Sequence, residues 1–236
     1  MPLLQVTLEE ADATLKPLSP HQRLEWAYNQ FGSNLAVTTS FGIQSAVLLH
    51  MLHLLNARDT IKVIWVDTGY LPSETYQYAD TLSKQLHLNL NVVQSKISPA
   101  RMEALYGKLW ENKSIKDLET YHHIRKIEPL ENALTEDDIH CWASGVRRNQ
   151  TDNRGSMNIL ESIRGRLALR PILEWSQKDI FYYMQKNNLP QHPLFAKGFC
   201  PSYISTTPFA FVNLNELCQV WNCTSCGGCC GPPISK

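Results

Sequence analysis

The chain of 236 residues carries 22 lysines and arginines against 22 aspartates and glutamates, so its formal charge is zero. This length predicts one large domain, and 43% hydrophobic with 19% charged residues excludes a disordered or coiled-coil chain. The neutral balance argues against a broad nucleic-acid-binding surface, and no apolar run reaches the roughly 18 residues that span a membrane. Residues 1–15 are acidic and lack a basic and apolar leader. We therefore expect a cytoplasmic protein that binds neither nucleic acid nor membrane.

Strand and helix patterns alternate along the chain. The first 33 residues are polar and helical, with a helix at 20–31 that ends at Gly32. Strands are predicted at 35–39, 61–66, 88–93, 140–146 and 167–173, and further helices at 46–55, 73–86 and 176–187. This alternation indicates βαβ units and hence an α/β fold with a mainly parallel sheet flanked by helices.

Three polar clusters directly follow predicted strands, at residues 40–45, 67–70 and 144–150. Ligands of open α/β sheets bind beyond the carboxyl ends of the strands, so the coincidence predicts a nucleotide or phosphate site. The first cluster opens a helix, where free N–H groups suit a phosphate, although it lacks the lysine and second glycine of a Walker A loop. A plain glycine-containing turn is the alternative for this cluster.

Arginines gather in the third cluster. Arg147 and Arg148 follow Gly145, which could permit close backbone approach to a ligand, and Arg154 comes soon after. Guanidinium groups bind phosphate and sulfate through paired hydrogen bonds, so we expect an anion site here rather than a solvated basic turn. Arg164 and Arg166 are expected to add positive charge to it.

Cysteines crowd the end of the chain. Five of the seven fall in the last nineteen residues, namely Cys218, Cys223, Cys226, Cys229 and Cys230. An odd count argues against a secreted disulfide framework, while the spacing fits an iron–sulfur cluster, zinc or a mobile thiol arm. We therefore divide the chain into a nucleotide-binding domain, 1–207, and a cysteine-rich tail, 208–236. The adjacent His122 and His123 would point about 100° apart on a helix, which predicts surface histidines rather than a chelating pair.

Six motifs together resemble those of the assimilatory phosphoadenylyl-sulfate (PAPS) reductases, over residues 20–207. They are residues 39–45, 66–71 with Glu74 and Thr75, 106–110, 126–129, 145–150 and 192–194. The resemblance implies an adenine nucleotide α-hydrolase fold, related to the ATP pyrophosphatases. Phe41 and Gln44 stand where the phosphate loop of those enzymes has glycine and aspartate, which fits binding of a ready-made nucleotide without cleavage of ATP.

The resemblance also implies a reaction. In this family a cysteine thiolate attacks the sulfate sulfur of PAPS, adenosine 3′,5′-bisphosphate leaves, and thioredoxin or glutaredoxin reduces the resulting S-sulfocysteine to release sulfite. Neither a metal nor a flavin cofactor is implied, and the protein would be a homodimer. By motif, the substrate would be held by Ser40, Gly42, Gln44, Ser45, Asp67, Thr68, Gly69, Lys126, Gly145, Arg147, Arg148 and Arg154.

The tail departs from the family pattern. Members end in a basic-Glu-Cys-Gly-Leu-His motif, whereas no arginine here lies beyond Arg170. Cys230, followed by Gly231, best matches the family's Cys-Gly pair and is our expected nucleophile, with Cys229 second and Cys226 third. The cysteine pairs that hold a [4Fe–4S] cluster in adenylyl-sulfate (APS) reductases are missing before Arg125 and around Cys200, which favours PAPS.

Two other functions remain open at this point. The tail cysteines could ligate an iron–sulfur cluster, giving an APS reductase or a thiolation enzyme. Alternatively, the altered tail could leave a non-catalytic nucleotide-binding paralogue that acts as a sensor or partner protein.

Overall fold

Residues 7–55, 59–111, 114–148 and 156–196 are those that the computed structural model describes. Their strands are β1 (Leu35–Thr39), β2 (Lys62–Asp67), β3 (Leu90–Gln94), β4 (Cys141–Ser144), β5 (Leu160–Ile163) and β6 (Arg166–Leu169). They form one sheet in the order β3-β2-β1-β4-β6-β5. Neighbouring strands are parallel except β5 and β6, which form an antiparallel hairpin. The α/β fold with a mainly parallel sheet is confirmed, and the hairpin is an addition that the alternation of elements did not predict.

The helices are α1 (Leu8–Leu15), α2 (Pro20–Phe31), α3 (Ala46–His53), α4 (Ser73–Leu86), α5 (Pro99–Tyr106), α6 (Ile115–His122), α7 (Glu128–Glu136), α8 (Gln177–Lys186) and α9 (Pro193–Ala196). A π-helical turn, His123–Ile127, joins α6 to α7. Side chains of Ser19, Ser98, Ser114 and Ser176 accept backbone N–H bonds at helix starts and so set where these helices begin. None of the helices in the described ranges is long and apolar enough to cross a membrane.

Helices cover both faces of the sheet, and successive strand residues point alternately to one face and the other. Val37 and Val63 belong to the larger core, on the side of α2, α3, α4 and α8. Ala36 and Ile64 pack on the other side with Leu134 of α7. A third, smaller apolar cluster lies at α5 and α6.

A buried guanidinium attaches the first two helices to the sheet domain. Arg23 of α2 donates to the carbonyls of Leu15, Lys16 and Pro171, each at 2.9 Å, and to the Glu174 carboxylate at 3.1 Å. All three nitrogens of the guanidinium donate in these bonds, and Glu174 balances its charge. Arg23 is therefore a structural residue that holds α1 and the segment after β6.

The strand order creates a crevice between β1 and β4. From β1 the chain moves outward through β2 to β3, and it then returns to place β4 on the opposite side of β1. Connections on the two sides of such a reversal diverge, which leaves a gap above the carboxyl ends of the two strands. The polar clusters after β1, β2 and β4 all lie at this edge, called the carboxyl edge below.

Candidate active site

The loop after β1 is shaped by Phe41. Its backbone is left-handed, with φ of +48°, and its N–H donates to the Thr39 hydroxyl at 3.1 Å. A non-glycine residue pays about 1 kcal/mol for this conformation. Burial of the ring, packed edge-on against Trp65 at 4.9 Å between centroids, offsets that strain. The bend buries Gly42 and leaves Ser40 exposed at the carboxyl edge.

The start of α3 lies at the end of this loop. Its cap position, Ser45, makes no side-chain cap hydrogen bond. The Ser45 hydroxyl is buried without a hydrogen-bond partner of normal geometry among the described residues, although Tyr78 interacts with it. A buried hydroxyl and uncapped N–H groups at the positive end of a helix suit an anionic ligand, as the sequence predicts for Ser45.

Arg147 connects the two sides of the crevice. It follows β4, is only 5% exposed, and donates from Nη2 to the side-chain oxygen of Gln44 in the loop after β1. The Arg148 N–H donates to the Leu173 carbonyl at 2.8 Å, which fixes the backbone behind it. A Cβ on Gly145 would meet Ile172 at an ordinary 3.9 Å, so packing of the protein itself does not demand glycine there. The structure thus brings together Gln44 of the first cluster and Arg147 of the third.

Asp67 organises the loop after β2. Its carboxylate accepts from the Gly69 N–H at 2.8 Å, from the Tyr76 hydroxyl at 2.7 Å and from the Gln94 amide at 2.7 Å. Gly69 has φ of +76°, and a Cβ there would lie 2.6 Å from Pro99, so both conformation and space require glycine. Thr68 is buried while Gly69 is exposed at the carboxyl edge. Asp67 therefore positions the Thr68–Gly69 turn, which the family resemblance assigns to substrate binding.

The π-helical turn buries Arg125 fully and the next residue, Lys126, only in part. Arg125 is buried and donates to the carbonyls of Thr68 and Ile97. Lys126 is half-buried, and burial lowers the pKa of its ammonium group. Burial, and then the Lys126 charge, also lower the pKa of the half-buried His122, whereas His123 is exposed. The prediction of surface histidines is thus met by His123 and only partly by His122. Sequence reasoning missed Arg125, because nothing in the pattern ranks it above its neighbour.

One expectation about the basic cluster is wrong. Arg164 and Arg166 lie in the β5–β6 hairpin and both pair with Glu131 of α7, at 3.2 and 2.7 Å. Because β6 runs parallel to β4, its first residue lies at the amino edge of the sheet, opposite the crevice. These two arginines therefore add no charge to the candidate site.

Several predicted residues lie outside the described ranges. They are Arg154, Cys226, Cys229, Cys230 and the rest of the 208–236 tail. Within the described ranges, Cys141 is buried at the amino edge of β4, where burial raises the pKa of its thiol far above the ordinary value. A thiol that resists ionisation is a poor nucleophile, so Cys141 is not the reactive cysteine. The same ranges hold no cluster of three metal-binding side chains, which leaves the tail cysteines untested.

His192 anchors the last described segment beside the site. The Leu194 N–H donates to its Nδ1 at 3.2 Å, so the proton of the neutral ring is on Nε2, which donates to the Thr75 hydroxyl at 3.2 Å. Thr75 lies in the first turn of α4, directly after the loop that follows β2. The His192-Pro-Leu motif therefore holds the chain at the carboxyl edge before it continues towards the cysteine-rich tail.

We expect this anchor to weaken at low pH. Burial lowers the pKa of His192 to about 4, an effect that the Glu74 carboxylate partly opposes, whereas an unfolded histidine titrates near 6.5. Between these values the unfolded state binds a proton that the folded state does not, so stability falls as the pH decreases through this window. The free energy of unfolding should drop by about 2 kcal/mol more in the wild type than in His192→Asn between pH 7 and 4.5. Urea denaturation of both proteins measures this difference, and equal losses would contradict the neutral anchor.

Comparison with known proteins agrees with this layout. The family model described as the phosphoadenosine phosphosulfate reductase domain matches residues 34–229. The phosphoadenosine 5′-phosphosulfate reductase of Synechococcus sp. is 51% identical over 199 residues, which cover 84% of this chain and 85% of that protein. The enzyme of the same name from Vibrio cholerae is 41% identical over 192 residues, covering 81% and 75%.

Solved structures show the same fold. The PAPS reductase of Candida auris, in its phosphate complex, superposes with a TM-score of 0.72 at 24% identity, covering 85% of this chain and 95% of that one. The NH3-dependent NAD synthetase of Campylobacter jejuni gives a TM-score of 0.54 at 15% identity, covering 83% and 79%. These likenesses confirm the expected adenine nucleotide α-hydrolase-like fold.

Proposed function

Because the chain belongs to the phosphoadenosine phosphosulfate reductase family, we propose that it reduces PAPS to sulfite in sulfate assimilation, with adenosine 3′,5′-bisphosphate as the other product. The observation that carries the proposal is the contact between Gln44 and Arg147 across the crevice. It joins the two loops that would hold the anionic ends of the substrate. A guanidinium in a low-dielectric position binds sulfate or phosphate groups strongly through charge-assisted hydrogen bonds.

Different residues at the carboxyl edge would bind different parts of the substrate. The loop of Ser40, Gly42 and Ser45 would take a phosphate at the start of α3, where no side chain caps the helix and the Ser45 hydroxyl is buried. Thr68 and Gly69, held by Asp67, would meet the nucleoside. Lys126, Arg147, Arg148 and Arg154 would face the phosphosulfate and the 3′-phosphate. Fixed cations of this kind bind the anionic groups of the substrate through charge-assisted hydrogen bonds.

The reaction then needs a thiolate and two electrons. We assign the thiolate to Cys230, with Cys229 as the second choice. Its sulfur would form a bond to the sulfate sulfur, the bond from that sulfur to the phosphate oxygen would break, and adenosine 3′,5′-bisphosphate would depart. A thiol of thioredoxin or glutaredoxin would attack the Cys230 sulfur and expel sulfite, and the second thiol of the donor would resolve the mixed disulfide. The donor loses two electrons as sulfur passes from sulfate to sulfite.

Other features follow from the same proposal. The reaction as written needs no resident metal or flavin, and the electron donor would be a separate protein. We further propose a homodimer located in the cytoplasm, as the resemblance and the sequence imply.

We expect the purified protein to release sulfite from PAPS when thioredoxin is supplied, and to release at least about tenfold less from APS, because the basic cluster favours the extra 3′-phosphate. A sulfite assay with each nucleotide measures this preference. Sulfite from APS alone, by protein that is brown and absorbs near 400 nm, would instead support the iron–sulfur alternative. Tight nucleotide binding without sulfite from either substrate would identify a non-catalytic paralogue.

A further inference from the structure

Arg125 is a buried cation that the proposed reaction leaves unused. Its guanidinium is 2% exposed and donates to the Thr68 carbonyl from two nitrogens and to the Ile97 carbonyl from a third. The group also lies 5.6 Å from the centre of the Tyr70 ring. All these partners are uncharged. Among the described residues, no carboxylate lies within ion-pair distance of it.

The nearby acidic side chains are engaged elsewhere. Asp67 accepts from Tyr76, Gln94 and the backbone, as described above. Glu103 accepts from the Tyr70 hydroxyl at 2.8 Å. Arg23 offers a comparison, because it is about as buried and donates to three carbonyls where Arg125 donates to two, yet its charge is balanced by Glu174. Within the described ranges Arg125 has no such direct ion pair, but its charge acts on the same tyrosine hydroxyls as those of Asp67 and Glu103, so these carboxylates compensate it in part. Partial compensation leaves a cost to burying the charge, which an anion bound nearby would lower.

The candidate site is where such a group would bind. Gly69 is exposed at the carboxyl edge, while its other side rests on the guanidinium, since a Cβ at Gly69 would lie 2.9 Å from Nη2 of Arg125. The Thr68–Gly69 turn therefore lies between the buried charge and solvent at the carboxyl edge. An anion bound beside this turn would feel the charge through low-dielectric protein rather than through water.

We propose that Arg125 is a positioning residue for the substrate, which holds the Thr68–Gly69 turn and whose positive charge is balanced by the anionic nucleotide when it binds. The inference rests on the proposed function. It makes Arg125 a determinant of preference for charged over uncharged adenine ligands. Its effect acts through the turn and the electric field, without direct contact with the reacting atoms.

The test compares the affinities of the full-length protein for adenosine 3′,5′-bisphosphate and for adenosine, by calorimetry. Arg125→Gln keeps N–H donors for the Thr68 carbonyl but removes the charge, and we expect the ratio of the two affinities to fall about tenfold. Arg125→Lys keeps the charge, and its ratio should stay within about threefold of the wild type. The matched control is Arg23→Gln, which should lower the melting temperature and leave the ratio unchanged.

Each outcome decides one question. An unchanged ratio in Arg125→Gln, or an equal fall in Arg125→Lys, would overturn the role of the charge. Parallel losses of affinity for both ligands, accompanied by a lower melting temperature, would reduce Arg125 to a structural residue like Arg23. A wild-type protein that binds neither ligand would instead refute the proposed function, and the role of Arg125 with it.

Discussion

Replacing Cys230 with serine is expected to lower sulfite release from PAPS by at least about 10³-fold. A serine hydroxyl remains protonated at neutral pH and is a far weaker nucleophile than a thiolate. Even if its oxygen acquired the sulfonate group, the product would be a sulfate ester. Such an ester has no sulfur–sulfur bond for a thiol donor to reduce, so sulfite could not be released. The loss should therefore appear both with thioredoxin and with glutaredoxin.

Three matched variants assign the thiol. Cys229→Ser and Cys226→Ser change neighbouring tail cysteines, and Cys141→Ala removes the buried thiol of β4. Each should retain sulfite release, and mass spectrometry after incubation with PAPS alone should find a sulfonate group on Cys230. If Cys229→Ser abolishes sulfite release while Cys230→Ser retains it, the nucleophile is Cys229. A sulfonate on Cys141 would contradict the burial that raises the pKa of that thiol.

Much of the fold could be predicted because local signals agreed with the final packing. The helix at 20–31 and the strand at 35–39 have the bounds that the sequence predicts, and so does the helix at 73–86. A serine cap and a terminal glycine delimit the first of these elements. The strand at 35–39 is β-branched and apolar, and its first three residues are buried in the sheet.

The β5–β6 hairpin shows where local pattern was insufficient. Its strands have four residues each, and Arg164 and Arg166 flank a glycine, which resembles an anion-binding turn when read alone. Only the topology shows that this turn lies at the amino edge, where Glu131 takes both charges. Sequence gives the charge of such a cluster, but the sheet decides which edge receives it.

The sequence predicted which polar clusters form the candidate site, but not which side chains of these clusters contact each other. The rule about carboxyl ends of strands brought the three polar clusters together before any coordinates. It could not predict that Gln44 would accept from Arg147, because the two are 103 positions apart. Nor could it distinguish Arg125 from Lys126. A π-helical turn buries the first and leaves the second half-exposed, and the local sequence pattern does not predict such a turn.

Arg147→Met is expected to raise KM for PAPS about 100-fold, with a smaller change in kcat. The side chain is almost fully buried, and it joins the loops on the two sides of the crevice through Gln44. Methionine preserves most of the volume but removes the charge and every donor. Because both ground state and transition state carry the anionic groups that Arg147 would bind, the loss should fall mainly on KM. Steady-state kinetics of sulfite release measures both constants.

The control for this change is Arg166→Met, which removes another largely buried arginine that the sequence alone grouped with Arg147. It should reduce stability through the loss of the ion pair with Glu131. KM should stay within about twofold of the wild type, because Arg166 lies at the amino edge, opposite the crevice. Gln44→Ala tests the link itself. If Gln44 acts by holding Arg147, the double variant should lose no more affinity than Arg147→Met alone, whereas additive losses would mean that each residue binds the substrate separately. A normal KM in Arg147→Met would contradict the assignment of the crevice between β1 and β4 as the binding site for the anionic groups.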